Sequence, residues 1–186
     1  MEPDADGWYL IDTPEKLVYI AAYASKNPYI NIRITKDLDM SEASNKYQPI
    51  TGGYSGIFDG GGHVISNFIL DRPYDSNQAL IGVAGGCTVK NLTLDSTCSI
   101  EGAGYCAGFV GQTTGLVTIT LENLFMHGEV VCHGPNGAGI YGCNMSSTAT
   151  VIMMNCGVGG SIQGDHESGA LSGWFGVGKA TVENYA

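Results

Sequence analysis

Asp59 and His63 flank three glycines in Phe-Asp-Gly-Gly-Gly-His, residues 58–63, and that spacing admits three kinds of chemistry. An Asp and a His brought together make a general acid–base pair or two ligands of a metal. With the glycine N–H groups they make an anion cradle. An architectural reading stands against all three. Gly60 and Gly62 allow positive-φ geometry at a corner, Asp59 caps backbone N–H groups there, and His63 belongs to the same turn. One Asp and one His four positions apart favour the architectural reading, because nothing else in the stretch completes a site.

Asp37, Asp39, Asp59 and Asp71 are the carboxylates that a sugar-cleaving site would draw on, with Arg33 and Arg72 as bases or substrate clamps. Asp37 and Asp39 stand two apart, hence on one side of a strand, and Lys36 offers local pairing. The aromatic platform of a sugar groove is thin, since the two Trp, Trp8 and Trp174, lie at opposite ends of the chain. Other motifs fail on inspection. The run "GWFGVGKAT" (173–181) approaches a phosphate-binding loop, but Ala180 stands where a Ser or Thr must hold the metal. "HES" at 166 has no second His at position 170, and Cys132, His133 and Cys143 match no standard metal spacing. No catalytic residue, metal or cofactor is therefore assigned.

The elements that position these residues are legible in composition and period. Of 186 residues 28 are glycine, only 14% are charged, and Val, Ile, Thr, Ser and Asn are plentiful, which points to a β-rich chain with many turns. The net charge is −10, and of eight Lys and Arg only Lys179 lies beyond residue 90. Nucleic acid and anionic membrane surfaces both need a basic face, so neither is an expected partner. No apolar run approaches the roughly 18 residues of a membrane span. The opening Met-Glu-Pro-Asp-Ala-Asp lacks the basic and apolar regions of a signal peptide, so the chain is expected to be cytoplasmic or an excised piece. Six cysteines occur with no Cys-x-x-Cys pair, and buried free thiols are expected.

Self-similarity is the strongest signal. "AGFVG" (107–111), "AGIYG" (138–142) and "GALSG" (169–173) end on Gly111, Gly142 and Gly173, spaced by 31 and 31, with "ALIG" (79–82) as an earlier copy. After each comes a turn, a Thr/Val/Ile segment and an Asn, giving the series Asn67, Asn91, Asn123, Asn155 and Asn184. Its spacing is uneven: 24, 32, 32 and 29. Three short apolar strands per period suit one coil of a parallel β-helix, whose coils bury their inward faces only by stacking. Asn tolerates the left-handed backbone of a sharp corner, and stacked Asn side chains can bond along the axis as a ladder. The expected fold is all-β: a right-handed parallel β-helix (β-solenoid) of about six coils, on the order of 30 Å long.

"DTPEKLVYIAAYASKN" predicts a helix near 13–26, with Thr13 as N-cap, Pro14 in the first turn and Glu15 at the positive end of the dipole. Leu17, Ile20, Ala21 and Ala24 fall on one face, so the helix caps the first coil. The division expected is a cap over 1–30 and a β-helix over 31–186. "VENYA" stops in mid-coil, which predicts truncation and a continuation of the repeat array at that end.

In order, "DLDM" (37–40), "FDGGGH" (58–63) and "VKNL" (89–92) match a D-x-D-apolar strand, an F-D-G-x-G-H corner and an I-x-N-L strand. Together with the cap helix and the glycine-rich repeats, roughly Gly7 to Ala186 resembles a GLUG-motif β-helix region of large bacterial surface proteins. Such regions also form the stalks of IgA-specific metallopeptidases. The resemblance implies a right-handed parallel β-helix exported to the cell surface, serving as stalk, adhesin or spacer. A host protein or a glycan would be its partner. The alternative is a polysaccharide lyase or glycoside hydrolase acting through the carboxylates above, by analogy with enzymes on this fold. An ice- or mineral-binding face would need a regular outward Thr row, and "VTITL" (117–121) is not repeated in sequence nearby. Outward Tyr, among Tyr47, Tyr54, Tyr74, Tyr105 and Tyr141, could line a contact face.

Overall fold

Each short apolar run of the repeat becomes a strand that pairs, parallel and in register, with the equivalent run one coil later. The computed structural model describes residues 1–145, 149–175 and 179–183. A cap consists of strand β1 (Trp8–Ile11) and helix α1 (Pro14–Ala24). The first coil holds β2 (Asn31–Ile34), β3 (Leu38–Asp39) and a 3-10 turn at Ser44–Lys46. The second holds β4 (Ile57–Ser66), β5 (Ile69–Ser76) and β6 (Ile81–Ala84). The third holds β7 (Thr88–Leu94), β8 (Ser99–Gly104) and β9 (Val110–Thr113). The fourth holds β10 (Thr118–Met126), β11 (Glu129–Pro135) and β12 (Tyr141–Asn144). The fifth holds β13 (Thr150–Met154), β14 (Gly157–Val158), β15 (Ser161–His166) and β16 (Ser172–Trp174), and β17 (Lys179–Glu183) opens a sixth.

Three parallel sheets run along the stack. The first is β1-β2-β4-β7-β10-β13-β17, with β3 and β14 beside it. The second is β5-β8-β11-β15 and the third is β6-β9-β12-β16. The expected β-solenoid with an N-terminal helix is therefore the fold, with five coils and the first strand of another. The cap is continuous with it, since β1 pairs with β2 from Trp8↔Asn31 to Ile11↔Ile34.

Alternation puts the core inside. In the first sheet Tyr9, Ile32, Phe58, Val89, Leu121, Met153 and Val182 occupy one register column across seven strands. In the second, Leu70, Ile100, Val130 and Ile162 do the same. Burying one side chain of this size contributes roughly 1.5–3 kcal/mol. The repeat glycines follow from the stacking distance. A Cβ on Gly142 would stand 2.2 Å from the Gly111 carbonyl oxygen, and one on Gly173 would stand 2.7 Å from that of Gly142. The backbone of one coil thus fills the space of a side chain in the next.

The helix forms where its signals lie. The Thr13 hydroxyl accepts the Lys16 N–H at 3.3 Å, Pro14 occupies the first turn, and Leu17, Ile20, Ala21 and Ala24 are fully buried. That apolar stripe closes the N-terminal end of the core, packing on β1 and the 3-10 turn.

Candidate functional site

The glycine corner is a bulge with a definite register. Asp59 pairs with Lys90 and His63 with Leu92, so Gly60, Gly61 and Gly62 together face the single residue Asn91. The three glycines are needed for different reasons. A Cβ on Gly60 would stand 2.3 Å from the Asn91 carbonyl oxygen, although its backbone is not in the left-handed region. Gly61 (φ +65°) is both left-handed and crowded by the Ile34 carbonyl, while Gly62 (φ +78°) is left-handed with open space around it.

Asp59 does not meet His63 in any hydrogen bond of the structure. It is 6% exposed, and its Oδ1 accepts the Gly61 N–H at 3.0 Å and the Asn91 side-chain amide at 3.1 Å. Its Oδ2 lies 3.4 Å from Arg33 Nη2 and 4.0 Å from Lys90 Nζ. Burial pushes the Asp59 carboxyl up. The Gly61 N–H, the Asn91 amide and the Lys90 and Arg33 charges outweigh burial and hold it below the ordinary carboxylate range. Arg33 in turn lies over the Trp8 ring, 4.0 Å from its centroid.

His63 pairs with Asp37 instead, Nδ1 to Oδ1 at 3.0 Å, and the same oxygen accepts the Val64 N–H at 3.0 Å. The Val64 N–H first, and then His63, lower the Asp37 carboxyl. Asp39 accepts the Asn67 amide at 2.8 Å and the Ser41 N–H at 3.0 Å, and the Asn67 bond is the main cause of its lowered pKa. Asp71 is exposed on β5 and borders a shallow cleft of about 440 Å³ with Ser41, Ser44, Asn45, Ile69 and Arg72. Arg72 is anchored by Gln48 at 3.2 Å, Gln78 at 3.4 Å and the Tyr47 carbonyl.

The asparagines stand at sharp left-handed bends. Asn91, Asn123 and Asn155 have φ of 56°, 53° and 52°. Asn155 donates its amide to Asn123 at 3.1 Å, Asn123 donates to Asn91 at 2.8 Å, and Asn91 donates to Asp59. The column is therefore Asp59–Asn91–Asn123–Asn155, each step spanning 32 residues. Asn67 (φ 53°) does not join this column. It turns the next corner, bonded to Asp39 and accepting nothing from Asn91, while its N–H donates to Thr97 Oγ1 at 2.7 Å. The uneven 24-residue first step of the sequence series came from mixing two corners. Counting 32 back from Asn91 would have found Asp59. Asn184 lies outside the described residues, as does part of the 173–181 glycine run.

Other expected contacts resolve differently. Tyr47, Tyr54 and Tyr141 are fully buried, with hydroxyls bonded to the Leu80 carbonyl, the Ile30 carbonyl and Thr113 Oγ1. They cannot line an outer face, whereas Tyr74 is 94% exposed. Cys132 lies in the second sheet and Cys143 in the third, while His133 Nε2 pairs with Glu101 at 2.6 Å. Outward Thr is in part repeated, because Thr88, Thr120 and Thr181 share one column, but Ile152 interrupts it. Beside it runs a column of Arg33, Asp59, Lys90 and Glu122, whose charges alternate along the axis.

As chemistry, this arrangement favours ionised, anchored carboxylates. A glycoside-cleaving acid needs a raised pKa so that it carries a proton at neutral pH. Asp37, Asp39 and Asp59 are all shifted the other way. Comparison with family models, with curated proteins and with solved structures returned no match.

Proposed function

We propose that this chain is a non-catalytic stalk or adhesin module of a bacterial surface protein, a rigid spacer that presents flat faces to a host protein or a glycan. The observation that carries the reading is the state of the candidate carboxylates. Asp37, Asp39 and Asp59 each accept backbone or amide hydrogen bonds at a coil corner and each has a lowered pKa, which suits an anchor and not a proton donor. Stacked coils give stiffness along the axis, and the net charge of −10 keeps such a rod from self-association. The GLUG-motif resemblance supports the same role and an extracellular setting.

The test is a binding and turnover screen on the intact chain against arrayed host proteins and polysaccharides. The expected result is saturable binding with no change in the polysaccharide. Cleavage of any polysaccharide that disappears in Asp37→Ala or Asp39→Ala, with folding retained, would replace this reading by the carbohydrate-active enzyme.

A further inference from the structure

All six cysteines are free and buried, but two of them share one corner. Cys132 of β11 lies in register with Gly102 of β8, one coil below. Cys106 follows β8, and its Sγ occupies the space that a side chain at 102 would need: a Cβ on Gly102 would stand 2.7 Å from it. The missing side chain at Gly102 therefore seats the Cys106 sulfur beside Cys132. The Cys132 thiol itself donates to the Pro135 carbonyl at 3.3 Å. Cys132 also borders a surface cleft of about 360 Å³ with Val131, His133, Gln163, Gly164 and Asp165. Cys106 is fully buried behind it.

We propose that Cys106 and Cys132 are a redox-active dithiol, which a low-molecular-weight disulfide converts into a disulfide joining the third and fourth coils. Cys132 is the attacking thiol, because it borders the cleft while Cys106 is fully buried behind it, and the neighbouring Cys106 thiol lowers its pKa. The Cys132 thiolate displaces one half of the small disulfide as a thiolate and forms a mixed disulfide. Cys106 then loses its proton to solvent and attacks the Cys132 sulfur, expelling the second half as a thiolate that takes up a proton. Two protein thiols become one disulfide and one small disulfide becomes two small thiols, so electrons and atoms balance. Cys87, Cys98, Cys143 and Cys156 act as internal controls, since burial pushes each of those thiols up.

The test is incubation of the folded, reduced protein with oxidised glutathione, acid trapping, thiol counting and peptide mapping. Expected are four remaining thiols of the original six, a mass lower by two hydrogens, and a Cys106–Cys132 crosslink that a thiol reductant reverses. Cys106→Ser should stop at one glutathione on Cys132, and Cys132→Ser should take up none. Six thiols remaining free, a bridge through any other pair, or an unmodified Cys132 in the Cys106→Ser variant would overturn the proposal. Where a serine variant loses its β-sheet circular dichroism, the map of the unsubstituted chain decides alone.

Discussion

At the scale of single residues, the corner at 58–63 separates two demands that glycine meets. Gly60 answers a demand for space, set by the Asn91 carbonyl 2.3 Å from its would-be Cβ. Gly62 answers a demand for conformation, with φ +78° and nothing nearby. The two should respond differently to substitution. Gly60→Ala is expected to cost about 3 kcal/mol, because backbone must move. Gly62→Asn is expected to cost within about 0.5 kcal/mol, since Asn tolerates the left-handed region, and Gly62→Ala about 1 kcal/mol. Urea denaturation of the three variants checks the order, and an equal loss at both positions would refute the division. Neither change is expected to remove an activity.

At the scale of the element, the asparagine column couples each bend of the first sheet to its neighbours. Two contributions act at Asn123, its φ of 53° and its amide bonds to Asn91 and Asn155. Asn123→Gly keeps the backbone freedom and loses the rung, for an expected cost of about 1 kcal/mol. Asn123→Ala loses both, for an expected cost of about 2–3 kcal/mol. Denaturant midpoints of the pair separate backbone from rung; identical values would mean that the rung contributes nothing. Packing of coil on coil stabilises each element more than its rung does. Leu121 sits in the middle of the inward column with no exposure, so Leu121→Ala is expected to cost about 3 kcal/mol. The inter-coil disulfide of Cys106 and Cys132 would add stability of about 3 kcal/mol by shortening the unfolded chain's freedom.

At the scale of the whole molecule, the anchored carboxylates make stability depend on pH. Asp37, Asp39 and Asp59, together with Asp12 held by Lys16 Nζ at 2.5 Å, all have folded pKa values below their ordinary ones. A depressed acid stabilises fully above its unfolded pKa of about 4, and that contribution is lost as pH falls through the lower folded value. Stability is therefore expected to hold from pH 7 down to about 5 and to decline below about 4. Chemical denaturation across that range reads it directly, and stability that rises below pH 4 would contradict the assignment. In Asp59→Asn the acid decline should shrink, since the substituted side chain keeps the Asn91 bond but no longer titrates. The alternating charges of Arg33, Asp59, Lys90 and Glu122 lie along one outer face, so salt should weaken that face more than the core.

The sequence by itself determined the repeat, its strands, the glycines between coils and the helix at the first end. These are local or periodic demands: a left-handed bend selects Asn, a close carbonyl selects Gly, and a capped apolar stripe selects a helix over 14–24. It did not determine which residues meet across coils. Asp59 carries no asparagine signature, and the three-residue bulge at 60–62 hid its place at the foot of the Asn91 column. Asn67 carries the signature but turns another corner. His63 lies four positions from Asp59 yet bonds Asp37, and the Cys106 sulfur lies against Gly102, the register partner of Cys132. Only the tertiary structure decided these partners, because register across parallel strands depends on every bulge between them, and a partner about 30 residues away leaves no local pattern.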